Sequence, residues 1–273
     1  MTTGVLSGAR AEPASSLWRG ALVQARVIHA VALRETRTRF GGHELGYVWA
    51  LLEPLFWIGT FWGLFALLGR STPDHASIVP FLATGIIPYE LVMKTADRAA
   101  QSISGNKALL FYPQVQTVDL VVARVALEIA TGFVVFGIIV GGHALVVQRL
   151  EIDDVLTTMT GLLLASALGG SLGLVLCAAG VVMPTIDRVR GPLMRPLFWM
   201  SGLFYTAESM PSDLREILLW NPILHCVELV RAGWFDSYHA AHASMSYVLA
   251  WIVALAFIGL TLERAVRHKV ELS

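Results

Sequence analysis

Six apolar stretches, most of them near the length that crosses a bilayer, constrain this chain more than any other feature. A helix rising 1.5 Å per residue needs about 20 apolar residues to cover a hydrocarbon core of about 30 Å. The stretches are Gly46–Leu68, Ile78–Ala96, Val118–Val140, Val155–Met183, Leu193–Tyr205 and Ser246–Leu262. The fifth is short, and the fourth is long enough to tilt. Hydrocarbon offers no partner to a bare backbone amide, so each stretch is expected to be helical and the chain an all-α membrane protein. Its 273 residues are 55% hydrophobic and 15% charged, whereas soluble domains average about 45–50% and about 25%. A formal net charge of zero excludes a broadly basic nucleic-acid binder.

Lysine and arginine fix the orientation. With the N-terminus in the cytoplasm, inside segments hold fifteen of them, including Arg34, Arg37, Arg39, Lys94, Arg98, Arg188, Arg190, Arg195 and Arg264. Outside segments hold only Arg70, Arg149, Arg215 and Arg231, and Arg124 falls within the third span. The positive-inside rule then places both termini in the cytoplasm. Met1–Ser16 has no apolar run of the kind that precedes a signal cleavage site, and it is expected to be a disordered cytoplasmic tail. Residues 17–40 repeat apolar positions (Trp18, Leu22, Ala25, Val27, Val31) at helical spacing with arginines between them. That pattern predicts an amphipathic helix in the membrane interface, with a plain cytoplasmic surface helix as the alternative. Residues 41–273 form the transmembrane domain.

Charges lie inside the apolar segments. Glu53, Trp57, Phe61 and Phe65 share one face of the first span at i, i+4 spacing. The face suits lipid or helix packing, and it also suits the wall of a sugar path, since sugar C–H faces lie on aromatic rings and a carboxylate accepts hydroxyl hydrogen bonds. Glu53 has a third option, pairing with a cation on the next helix. Glu90 precedes Lys94, and Arg124 precedes Glu128, by four residues, so both are candidates for same-face pairs. Pro88, after Gly85, is expected to break or bend the second span. Gly169 and Gly173 make a small-xxx-small face that admits close helix packing.

Two connections are too apolar for plain loops. On the cytoplasmic side, a short helix is expected at Lys107–Phe111, and the exposed Leu109, Leu110, Phe111 and Tyr112 suit either the membrane interface or a docking surface for another protein, with docking the favoured reading. On the outside, residues 206–243 contain an apolar segment broken at Asn221-Pro222 and charged by Glu228 and Arg231, which reads as re-entrant or interfacial helices. His239 and His242 lack a third ligand, so no metal site is expected, and Cys177 and Cys226 form no CxxC pattern. The chain has no G-x-x-x-x-G-K-[ST] and so binds no ATP through a P-loop. Spans and a docking surface without an ATPase suggest a permease powered by another subunit.

The motifs R-T-R-F-G at Arg37–Gly41, L-G-Y-V-W-A-L-L-E-P at Leu45–Pro54, G-I-I-P-Y-E at Gly85–Glu90, N-K-A-L-L-F-Y-P at Asn106–Pro113, D-L-V-V-A-R at Asp119–Arg124 and L-L-W-N-P-I-L-H-C-V-E-L-V-R at Leu218–Arg231 resemble the ABC-2 type permeases of polysaccharide exporters, most closely those of Gram-negative capsule. The resemblance runs from about Arg34 to the C-terminus. It implies six transmembrane helices, an N-terminal interfacial helix near Arg34, Arg37 and Arg39, periplasmic re-entrant helices, and an ATPase-coupling helix at Gly105, Asn106, Lys107, Leu109, Leu110, Phe111 and Tyr112. It also implies a homodimer in the bacterial inner membrane with a separate ATP-binding subunit that holds ATP and magnesium, no cofactor on this chain, and an envelope-spanning polysaccharide co-polymerase or export partner. The expected substrate is a lipid-linked capsular polysaccharide. Glu53, Trp57 and Phe61 are then candidates for the path, and Arg188, Arg190 and Arg195 for receiving an acidic polymer, with a plain positive-inside role as their alternative. Exporters of O-antigen, teichoic acid, lipids or drugs remain alternatives, with a secondary transporter or a glycolipid-acting membrane enzyme as distant ones.

Overall fold

The computed structural model describes residues 13–40, 45–69, 77–112, 114–149, 152–183 and 185–271. The N-terminal part of the expected tail (residues 1–12), Arg70 and Pro113 lie outside the described residues. The first helix, α1 (Pro13–Phe40), begins four residues before the expected boundary at residue 17, with proline in its first turn, where the missing N–H costs nothing. It is followed by α2 (Leu45–Leu67), α3 (Ile78–Ala100), α4 (Thr117–Val147), α5 (Val155–Val182), α6 (Ile186–Met200), α7 (Ser212–Leu218), α8 (Pro222–Trp234) and α9 (Met245–Glu271).

Local chemistry sets several boundaries. Asp154 caps α5 by accepting from the amides of Leu156 and Thr157. The Thr157 hydroxyl and amide hold the Asp154 carboxyl below the usual carboxylate range. Gln116 and Asp119 form a reciprocal capping box at the start of α4. Helix α3 runs on through Pro88 instead of stopping there, buried among its neighbours from Pro80 to Pro88.

Among the described residues, α2, α3, α4, α5 and α9 are the five helices long and apolar enough to cross a membrane. The fifth expected span, Leu193–Tyr205, is not a helix of that kind. Helix α6 has 15 residues, contains Pro192 and Pro196, and ends at Met200. It is about 22 Å long, short of the hydrocarbon core. Arg190 of α6 meets Asp97 of α3, and Leu203 lies against Gly85 of α3. Because α3 continues seven residues beyond Gly85 to Ile78, α6 stops about 10 Å short of the Ile78 end of α3.

Helices α3 and α5 form the centre. Gly169 and Gly173 of α5 sit against the backbone of α3 at Val92 and Ala96, as the small-residue spacing predicts. One core cluster joins α2, α3, α4, α5 and α8 through residues such as Phe61, Leu82, Phe136, Leu162 and Trp234. Helix α1 packs separately on the base of α4, where Val31 meets Leu120 and Ala123.

Candidate functional site

Two features lie one above the other along α2. The lower is a charged cluster. Lys94 Nζ is 2.8 Å from Glu53 Oε2 and 2.9 Å from Glu90 Oε2, tying α2 to α3. Arg98 faces Glu128 of α4 at 3.8 Å, and Arg190 of α6 pairs with Asp97 at 2.7 Å. A cavity of about 630 Å³ opens between α2, α3 and α4, lined by Trp49, Glu53, Glu90, Lys94, Arg98 and Glu128 among others. The expected Glu90–Lys94 pair is present, and Glu53 takes its third option, pairing with the cation on the next helix.

Lys94 bridges two carboxylates with a single positive charge. Lys94→Met leaves Glu53 and Glu90 facing each other, and should lower stability by about 1–3 kcal/mol, between the worth of an exposed pair and the cost of stripping a buried one. Adding Glu90→Gln should restore part of that loss. Thermal unfolding of the purified protein measures both; equal stability of all three proteins would contradict the cluster's role in holding α2.

The upper feature is aromatic. Trp57 stacks on Phe61 at 5.9 Å between ring centroids and tilts against Phe198 of α6 at 5.6 Å. Phe61 meets Phe204 at 3.9 Å, and Phe198 touches Tyr89 of α3 at 5.5 Å. Phe61 is buried at 8% exposure and backs the wall, while Trp57, at 38%, is its open edge. Phe198 and Phe204 come from a stretch whose sequence shows apolar character but no spacing that marks a wall. The runs L-F-W at 197–199 and L-F-Y at 203–205 carried the signal, but hydrophobicity alone does not tell a wall from a span.

At the opposite end of the charged cluster, the segment before α4 forms a single 3-10 turn, Lys107–Leu109, where a helix from Lys107 to Phe111 was expected. Leu109 and Leu110 pack into the Val31–Leu120–Ala123 cluster, whereas Phe111 and Tyr112 stand 81% and 62% exposed. Asn106 accepts a 2.9 Å hydrogen bond from the Arg34 guanidinium of α1. Arg124 reaches Glu35 of α1 at 3.0 Å and donates to the Arg98 carbonyl at 2.8 Å. So Arg124 and Glu128, expected as a local pair, each reach across to another helix. The Gln24 amide of α1 donates to Asp119.

A family profile described as ABC-2 type transporter matches residues 26–235. The chain belongs to the ABC-2 type transporter family. Among curated relatives, it is 31% identical to the polysialic acid transport protein KpsM of Escherichia coli over 242 residues, 89% of this chain and 94% of the relative. It is 28% identical to the capsule polysaccharide export inner-membrane protein CtrC of Neisseria meningitidis serogroup B over 258 residues, 94% of this chain and 97% of the relative. It is 28% identical to the capsule polysaccharide export inner-membrane protein BexB of Haemophilus influenzae over 252 residues, 91% of this chain and 94% of the relative.

In this ABC-2 chain the other candidate residues are distributed unevenly. Arg188 and Arg195 are exposed on α6, while Arg190 is half-buried in its pair with Asp97. Arg37 is exposed, Arg34 is engaged with Asn106, and the Arg39 side chain lies outside the described residues. On α1, Val27 and Val31 face α4, while Trp18, Leu22 and Ala25 are exposed on the other side, so the expected apolar stripe divides between a packed face and an open one.

Proposed function

We propose that this chain is the membrane-spanning permease subunit of an ATP-driven exporter that moves a lipid-linked capsular polysaccharide outward across a bacterial inner membrane. The observation that carries the proposal is the match, over 89–94% of this chain, to relatives named for polysialic acid transport and capsule polysaccharide export. In this reading two copies work with a separate subunit that binds ATP and magnesium, and an envelope-spanning partner receives the polymer. Both termini lie in the cytoplasm, so α6 together with the chain through α7 and α8 makes the return crossing. The exposed Arg188 and Arg195 receive an acidic polymer at the inner face, and the Trp57 edge of the aromatic wall lines its path. Phe111 and Tyr112 contact the ATPase.

The test is reconstitution of the chain with its ATPase in vesicles containing polysialic acid on a phospholipid anchor. Polymer-stimulated ATP hydrolysis and its appearance across the bilayer are the expected results; an active chain that needs no ATPase would overturn the proposal. Trp57→Ala should lower export several-fold with complex assembly unchanged, read as surface polymer per assembled complex. Wild-type export by that variant would return Trp57 to a packing role.

A further inference from the structure

Helix α8 and its N-cap residue Asn221 carry buried polar side chains that neither the charged cluster nor the aromatic wall uses directly. Arg231 is fully buried, and Asn221 and Glu228 are nearly so. All three turn toward one stretch of backbone, residues 200–207, where α6 ends. Asn221 Nδ2 donates to the Met200 carbonyl at 3.3 Å and to Ser201 Oγ at 2.9 Å. Arg231 donates through Nη1 to the Tyr205 carbonyl at 2.7 Å and through Nη2 to the Leu203 carbonyl at 3.0 Å, with its guanidinium 4.2 Å from the centroid of the Phe81 ring. Glu228 Oε1 accepts from the Ala207 amide at 3.2 Å and lies 3.7 Å from Arg231 Nη1, and Oε2 accepts from the Tyr238 hydroxyl.

The arrangement answers a need set by α6. The last carbonyls of a helix have no partner within it, and a buried end must find them elsewhere. Helix α6 ends in the interior, its chain reverses at Gly202 in the left-handed region (φ 72°), and α8 supplies donors for three of the carbonyls around that reversal. Leu203 and Tyr205, the two residues held by Arg231, flank Phe204. The Phe204 ring reaches Phe61 at 3.9 Å, Phe198 at 5.5 Å and Trp199 at 5.9 Å. A shift of this backbone therefore moves the ring that spaces α6 from α2.

We infer that Asn221, Glu228 and Arg231 are positioning residues that set the aperture of the aromatic wall through Phe204, and thereby select the cross-section of the polymer that passes. This rests on the reading of the α2–α6 wall as the polymer path. A planar guanidinium reaches two carbonyls at once, and a lysine ammonium does not reproduce that fork. Arg231→Lys keeps the charge beside Glu228 while releasing the Leu203–Tyr205 backbone.

A cross-link measures the position directly. With Cys177 and Cys226 changed to alanine, Phe61→Cys/Phe204→Cys should react quickly with a short bifunctional thiol reagent in vesicles containing the whole transporter. Arg231→Lys should slow that reaction at least tenfold. It should also shift the half-saturating concentration of phospholipid-anchored polysialic acid more than the maximal turnover, and combined with Phe204→Ala it should have no added effect on export. If Arg231→Lys fails to assemble, Glu228→Gln, which keeps an acceptor for the Ala207 amide but loses the charge facing Arg231, carries the same measurements with a smaller expected slowing of about threefold. An unchanged cross-linking rate, or a slowed rate with wild-type half-saturation, overturns the proposal. Export that responds to Trp57→Ala but not to the α8 variants overturns this proposal alone, whereas export indifferent to Trp57→Ala overturns the path itself and this proposal with it.

Discussion

Phe111→Asp is expected to abolish co-purification of the ATPase and to cut coupled ATP hydrolysis at least tenfold, while the permease still inserts and keeps its thermal stability. Phe111 is 81% exposed, so little of its surface is buried by the fold. Burying such a side chain in a partner is worth about 1.5–3 kcal/mol, and aromatic anchors at interfaces reach 2 kcal/mol or more on truncation. Placing a carboxylate there adds a desolvation cost, so a loss of tenfold or more follows. Leu110 behaves differently. It packs into the cluster of Val31, Leu120 and Ala123, so Leu110→Asp should destabilise the permease itself. The two substitutions made together would mix these effects; made singly, they separate docking from folding. Wild-type coupling in the single Phe111→Asp protein would refute the docking role.

The rigidity behind that surface comes from contacts between residues far apart in sequence. Arg34 holds Asn106, and Arg124 joins Glu35 to the end of α3 at the Arg98 carbonyl. A push on Phe111 and Tyr112 therefore reaches α1, α3 and α4 together. None of these contacts was legible from spacing, because i, i+4 arithmetic pairs Arg124 with Glu128 and knows nothing of a helix ninety residues earlier.

What the sequence did make legible follows from its physics. The spans matching α2, α3, α4, α5 and α9 stood out because each is a long apolar run, whereas the caps at Asp154 and at Gln116 with Asp119 emerged only with the coordinates. The small-residue face of α5 was legible for the same reason: only a residue without a side chain fits between two helix backbones. The bounds of α6 were not legible because apolar character reports removal from water, whichever surroundings supply it. Leu193–Tyr205 is apolar partly because its far end is buried under α8, and the reversal at Gly202 looks like any other glycine in an apolar run. The candidate site was half visible. Glu53, Trp57 and Phe61 announced themselves at i, i+4, but their partners Lys94, Phe198 and Phe204 come from other parts of the chain and needed coordinates.

The largest loss of stability is expected from Gly173→Leu. A Cβ at Gly173 would lie 2.4 Å from the Ala99 Cβ and 2.7 Å from the Ala96 carbonyl oxygen, and at Gly169 the nearest atom is the Val92 carbonyl at 2.4 Å. These neighbours are backbone atoms or a side chain of one carbon, so no rotamer change relieves the clash and the two helices must separate. Overpacking a core costs about 1–3 kcal/mol when side chains can yield, and more when they cannot. Because α3 also carries Lys94 and Asp97, which bind it to α2 and α6, moving α3 away from α5 disturbs the charged cluster as well. Gly173→Leu should therefore accumulate poorly, melt at least 10 °C below the native protein and export no polymer. Gly137→Ala is the matched control. Its added Cβ meets nothing within 4 Å, and alanine is favoured over glycine in a helix by about 1 kcal/mol, so that variant should be as stable as the native protein or slightly more so. Equal melting of Gly173→Leu and Gly137→Ala would mean that α3 and α5 do not meet at these glycines, and the centre of the fold would have to be rebuilt.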